Sequence, residues 1–151
     1  MKALIIFSNC SFLLSAVAGS IITGRLPEQF TAAAVKSVMS EAVNYREGQI
    51  HILGKNPSGT FIAACTARSG KQILKNLLTT FLKVNRVEES SYRLLEVNTP
   101  PSLKLLLGQF LLCLSPESGP GRSMLEKYIE NVYPLLVNAV KLDWNCQISD
   151  N

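Results

Sequence analysis

The side chains able to do chemistry are few and far apart. There is one histidine, His51, and there are four cysteines, Cys10, Cys65, Cys113 and Cys146. Structural zinc needs three or four Cys or His ligands close in space, and one His with four widely spaced Cys leaves few ways to build such a site, so neither a metal nor a cofactor is expected. Ser123, His51 and an aspartate can be written down as a hydrolytic triad. No nucleophile-elbow glycines frame Ser123, however, and Glu126 follows it at the three-residue spacing of a helix capping box. His51 lies in a short β-branched stretch and reads as a loop residue. No catalytic residue is assigned, and the reading is that of a non-enzyme.

Composition narrows the classes further. A chain of 151 residues suits one domain. Apolar residues make up 47% and charged residues 17%, and mean hydropathy is +0.19, too apolar for a disordered chain. The net charge of +4 comes without a basic run or interleaved aromatics, which argues against nucleic-acid binding and gives little electrostatic help toward stable membrane insertion.

The N-terminus reads as a secretory leader. Met1-Lys2 is a positive start, Ala3 to Val17 is largely apolar, and Ala16 and Ala18 stand two apart as a signal-peptidase site requires, so residues 1–18 are expected to be removed and 19–151 to fold. The polar Ser8-Asn9-Cys10-Ser11 in the middle of the run is the unusual feature of this reading. Secretion places Cys65, Cys113 and Cys146 in an oxidising compartment, with one thiol left over.

Four helices are expected in the mature chain. Pro27 and Glu28 open the first, which carries Phe30, Ala34, Val38, Ala42 and Tyr45 at four-residue spacing and stops at Arg46 and Gly48. Gln49 to Leu53 is a short extended segment, and Asn56-Pro57-Ser58-Gly59 a turn. A second helix runs from Thr60 to about Val84 with a kink at Ser69-Gly70. Tyr92 to Val97 reads as a strand or as an extra helical turn. Thr99-Pro100-Pro101 starts a third helix, apolar nearly all round from Leu103 to Leu112 and so expected to be the most buried. After a loop at Ser115–Gly121, the capping box at Ser123 opens a fourth helix with Leu125, Tyr128, Ile129, Val132, Leu136, Ala139 and Val140 on its inner face and Pro134 as a bend.

Thr60-Phe61-Ile62-Ala63-Ala64-Cys65 resembles the opening of helix B in the interleukin-4 and interleukin-13 cytokines, and Ser123 to Glu130 resembles the start of their last helix. The resemblance implies an all-α, up-up-down-down four-helix bundle of the short-chain type, with the extended segment in its A–B loop. It also implies a Cys65–Cys113 disulfide. Cys146 then lacks the N-terminal partner the family provides, and the protein is expected to be a monomer unless Cys146 pairs between chains. The implied function is a secreted immune cytokine that brings cell-surface receptor chains together. Candidate contacts are Lys36, Ser40 and Glu41 on the first helix, Lys104 on the third, and Lys127, Glu130, Asn131 and the aromatic Tyr133 on the fourth; a solvated helix face explains each equally well. The alternative is a secreted helical carrier enclosing a lipid or other hydrophobic ligand.

Overall fold

A computed structural model describes residues 2–8, 11–42, 48–66, 71–100 and 102–149. It shows an α/β fold, which overturns the four-helix bundle. Strand β1 (Ala3–Ser8) leads into helix α1 (Phe12–Ile22), followed by α2 (Ala32–Ala42), β2 (His51–Lys55), β3 (Phe61–Thr66), α3 (Lys71–Val84), β4 (Tyr92–Glu96), α4 (Leu103–Leu114) and α5 (Gly119–Ser149). The strands form one sheet in the order β2-β3-β1-β4. β1 pairs parallel with β3 and with β4, and β2 runs antiparallel on the edge of β3.

The segment read as a leader supplies the centre of this sheet. Leu4, Ile5, Ile6 and Phe7 are all buried, because β1 has a strand on each side and a helix layer on each face. A central parallel strand buried on both faces is a near-continuous apolar run with no alternation, which is also how a leader's apolar stretch looks. The Ser8 to Ser11 interruption falls at the strand-to-helix turn. Ser11 caps α1, its Oγ accepting from the Leu13 amide at 3.2 Å.

The segment read as one helix from Thr60 to Val84 is two elements. β3 takes Phe61–Thr66, and α3 begins only at Lys71. Ala63-Ala64 favours helix by propensity, but Ile62 and Ala64 pack on one face of the sheet and Cys65 on the other, and this two-sided burial decides the strand. The extended segment near Ile50 forms β2, and the ambiguous stretch at Tyr92 forms β4. In β2 a bulge falls between Ile52 and Gly54, with Gly54 at φ +143°, a conformation that favours glycine.

The order of strands dictates the layers. The chain moves from β1 one way to β3, then back past β1 to β4; right-handed crossovers in opposite directions must lie on opposite faces. The packing agrees. Leu4, Ile6, Ile62 and Ala64 share a core with α1, α2 and α5, whereas Ile5, Phe7 and Cys65 pack against Leu74 and Leu78 of α3.

The remaining helices also differ from expectation. The first expected helix is α2, confined to Ala32–Ala42 and burying Val35, Val38, Met39 and Ala42; Tyr45 and Arg46 lie outside the described residues. α5 starts one turn before Ser123. Ser118 Oγ accepts from the Gly121 amide at 3.3 Å, so Ser118 takes the capping role assigned to Ser123. α5 buries Leu125, Tyr128, Ile129, Val132, Leu136 and Val140 and also Tyr133, which was expected on an exposed face. α4 is not the most buried helix: only Leu105 and Gly108 are buried, and most of its leucines face solvent. It lies against α5 so closely that a Cβ on Gly108 would stand 2.8 Å from Leu125 Cγ. Among the described residues no helix is long and apolar enough to cross a membrane.

Candidate functional site

In an open parallel sheet, adjacent strands whose following helices leave to opposite faces part at their C-terminal ends, and ligands bind in the crevice so formed. Here those strands are β1 and β3, followed by α1 on one face and α3 on the other. Hydroxyl groups pin the two ends together. Thr66 Oγ1 donates to the Ser8 carbonyl at 2.7 Å, Ser15 Oγ donates to the Cys65 carbonyl at 3.1 Å, and the Ser11 amide lies 3.5 Å from Ser8 Oγ. Ser8, Ser11, Ser15 and Thr66 are all buried. Thr66 and Ser15 satisfy carbonyls at the strand ends while Ser8 and Ser11 accept from amides at the start of α1, so the turn from β1 into α1 is held to β3 by side chains as well as by the ladder.

A cavity of about 660 Å³ opens beside this point. The first turn of α1 (Ser11, Phe12, Leu13) and Thr66 form its inner end. α2 contributes Lys36, Met39 and Ser40; α4 contributes Gln109, Leu112 and Cys113; α5 contributes Arg122, Leu125 and Glu126. Its walls are therefore apolar, with hydroxyl, amide, thiol and charged groups spaced around them.

Three charges meet at the cavity. Lys36 Nζ is 3.4 Å from Glu126 Oε2, with the Glu126 side chain mostly covered and Lys36 largely exposed. Arg122 sits in the first turns of α5 and donates from Nε and Nη2 to the Pro116 carbonyl at 3.3 and 3.0 Å, which fixes the guanidinium over the α4–α5 turn. Two cations against one carboxylate leave a net positive rim, and the N-terminal turns of α1 and α5 add the positive ends of two helix dipoles. Among the described residues no three His, Cys, Asp or Glu gather in a way that could hold a metal.

The residues singled out from sequence scatter over this fold. Lys36 and Ser40 line the cavity, while Glu41 pairs with Arg25 at 2.6 Å. Lys104 is exposed on α4, and Lys127, Glu130 and Asn131 are exposed on α5. Tyr133 is buried, edge-on to Phe30, with its hydroxyl donating to the Pro27 carbonyl; burial pushes its phenol above the ordinary value. His51 lies on the edge strand, its ring edge-on to Phe12 with 5.2 Å between centroids.

The expected Cys65–Cys113 disulfide does not form. Cys65 is buried between the sheet and α3, and Cys113 is exposed on α4 across the sheet, beside the cavity; both are free thiols. Burial raises the Cys65 thiol to about 11. Of Cys146, α5 continues through the position and nothing further is described.

Ser11, Thr66, Gln109 and Arg122 are not marked as functional residues by the sequence, and Glu126 is marked only as a capping-box partner. The available clue was the Ser-rich break between an apolar run and a second apolar run, which is the signature of a strand turning into a helix.

A family model described as "Protein of unknown function (DUF3189)" matches residues 4–142, and so includes β1 and α1. No curated protein and no solved structure matches the chain. With the mixed sheet, the match replaces the cytokine resemblance.

Proposed function

Because the chain belongs to the DUF3189 family, whose description assigns no role, function is read from the chain's own geometry, and we propose that it binds a small molecule carrying an anionic group and an apolar body in the cavity at the β1–β3 switch point. The observation that carries this reading is the coincidence of a 660 Å³ cavity with the crevice that the strand order creates. Arg122 and Lys36 supply charge for the anionic group. Arg122 is the better placed of the two, since its guanidinium is already oriented and keeps further N–H donors for a carboxylate or phosphate. Phe12, Leu13, Met39, Leu112 and Leu125 supply the wall for the apolar body. Gln109 and Ser40 are the polar groups that would orient it.

An apolar-lined cavity is also what the carrier expectation required, and the present reading keeps that part of it while moving the ligand from between four helices to the end of a sheet. Receptor bridging is not carried forward, because it was argued from the faces of a four-helix bundle.

The experiment is a thermal-shift screen of the full chain against inorganic phosphate, phosphate monoesters with aliphatic or aromatic groups, and carboxylates of matching size. Stabilisation by an anion with an apolar body, weakened at least tenfold in Arg122→Ala and abolished by the cavity-filling Leu112→Trp, supports the reading. A ligand whose affinity ignores both substitutions would refute it.

A further inference from the structure

α4 presents an apolar stripe to solvent. Leu103, Leu106, Leu107, Phe110 and Leu114 are between 41 and 72% exposed, while the opposite face of the helix, at Leu105 and Gly108, is buried against α5. Leu103, Leu107, Phe110 and Leu114 follow one another at intervals of four, three and four residues, which is the spacing of a helix–helix seam. Their exposure adds up to about three whole large apolar residues, on the order of 500 Å² at roughly 170 Å² each. A standard interface buries about 800 Å² on each partner, and in homodimers about 65% of that is apolar, again roughly 500 Å². The stripe is thus the apolar centre of one half of a dimer interface.

We infer that two copies of this chain pack α4 against α4 about a twofold axis, with the helices antiparallel. A twofold contact uses the same patch on both copies and closes, so one stripe is sufficient and no second surface is needed. Charge sets the direction. Lys104 is the cation of α4, at its N-terminal end, and Glu117 stands just beyond its C-terminal end; both are exposed. Antiparallel packing sets the Lys104 end of each copy against the Glu117 end of the other, whereas parallel packing sets lysine against lysine. The helix dipoles favour the same choice.

A comparable apolar row, Ile73, Leu77, Phe81 and Val84, is exposed on α3 on the other side of the sheet. It is the internal control, since a dimer through α4 leaves it untouched.

The test is sedimentation velocity of the full chain from 1 to 100 µM. The wild type is expected to sediment as a dimer, Leu107→Glu/Phe110→Glu as a monomer with unchanged helical circular dichroism, and Phe81→Glu as a dimer. Lys104→Glu should weaken the dimer about two- to tenfold through its two symmetric contacts, and adding Glu117→Lys should restore it. A wild type that stays monomeric at 100 µM, a dimer that survives the α4 double substitution, a dimer broken by Phe81→Glu, or open-ended oligomers would each overturn the proposal. Failure of the charge swap to restore the dimer would overturn its antiparallel direction. Should the α4 double substitution misfold, Leu106→Lys gives the same reading from a single position on the stripe's edge.

Discussion

Replacing Ile6 by Ala tests the central claim that residues 3–8 are the middle of a sheet. Ile6 is fully buried, opposite Ala64 on β3 and Leu95 on β4, and its Cδ1 lies 3.3 Å from where a Cβ on Gly19 would stand. The substitution removes three carbon groups, about 2.4 kcal/mol at roughly 0.8 kcal/mol each. The surrounding backbone is held by two strand ladders and a helix, so little of the void closes, and a cavity contribution of about 1–2 kcal/mol brings the loss to about 3–4 kcal/mol. For a chain of this size each kcal/mol moves the midpoint by about 2–4 °C, so Tm should fall on the order of 10 °C. The matched control is Ile52→Ala. Ile52 is 73% exposed on the edge strand, and its truncation should stay within about 0.5 kcal/mol. Thermal and urea unfolding followed by circular dichroism measures both. If the two truncations have equal effects, residues 3–8 lie outside the core and the claim fails.

Alkaline pH should destabilise the protein through Cys65. Its thiol is raised from 9.0 to about 11, so the folded chain holds the proton longer than the unfolded one: the contribution is intact below pH 9 and lost between pH 9 and 11, on the order of 2–3 kcal/mol. Urea midpoints measured from pH 8 to 11 should fall over that window, and Cys65→Ala should flatten the fall, leaving the part due to Tyr133, whose raised phenol acts in the same direction above pH 10. Timed alkylation with peptide mapping should find Cys113 modified in the native protein within minutes and Cys65 only on unfolding; joint loss of both thiols as one bridged peptide would restore the disulfide. Gly108→Ala should cost about 1–3 kcal/mol by driving a methyl into Leu125, and in the Gly108→Ala/Leu125→Ala pair the total should be less than the sum of the two single losses in unfolding experiments. Thr66→Val removes the 2.7 Å bond to the Ser8 carbonyl and should lower stability by about 1–2 kcal/mol while weakening any cavity ligand, read by unfolding and by titration of the same protein.

The elements legible in the sequence are those with one wet face. α5 shows its inner residues at helical spacing because its other face is solvated, and the turn at Asn56–Gly59 is explicit in its residue types: Asn56 Oδ1 accepts from the Thr60 amide at 2.8 Å, and Gly59 takes a φ of +81°. β1, α1 and β3 have no wet face, so their patterns carry no period, and the eye falls back on other templates. Ala16 and Ala18 are both buried in the core. At Gly19, where α1 meets the sheet, a Cβ would stand 2.2 Å from Leu53 Cδ1, so only glycine lets the helix sit this close. The same cause hid the candidate site. Its residues come from the first turn of α1, the last residue of β3 and three helices that follow no common period, and they converge only because the chain reverses direction across β1. Lys36 and Ser40 were found as members of an exposed helix face, which is a correct account of their helix, yet what distinguishes them is the Arg122 and Thr66 across the cavity. The Ser8-to-Ser11 break is where the central strand turns into a capped helix, and recognising that turn places both the sheet and the crevice.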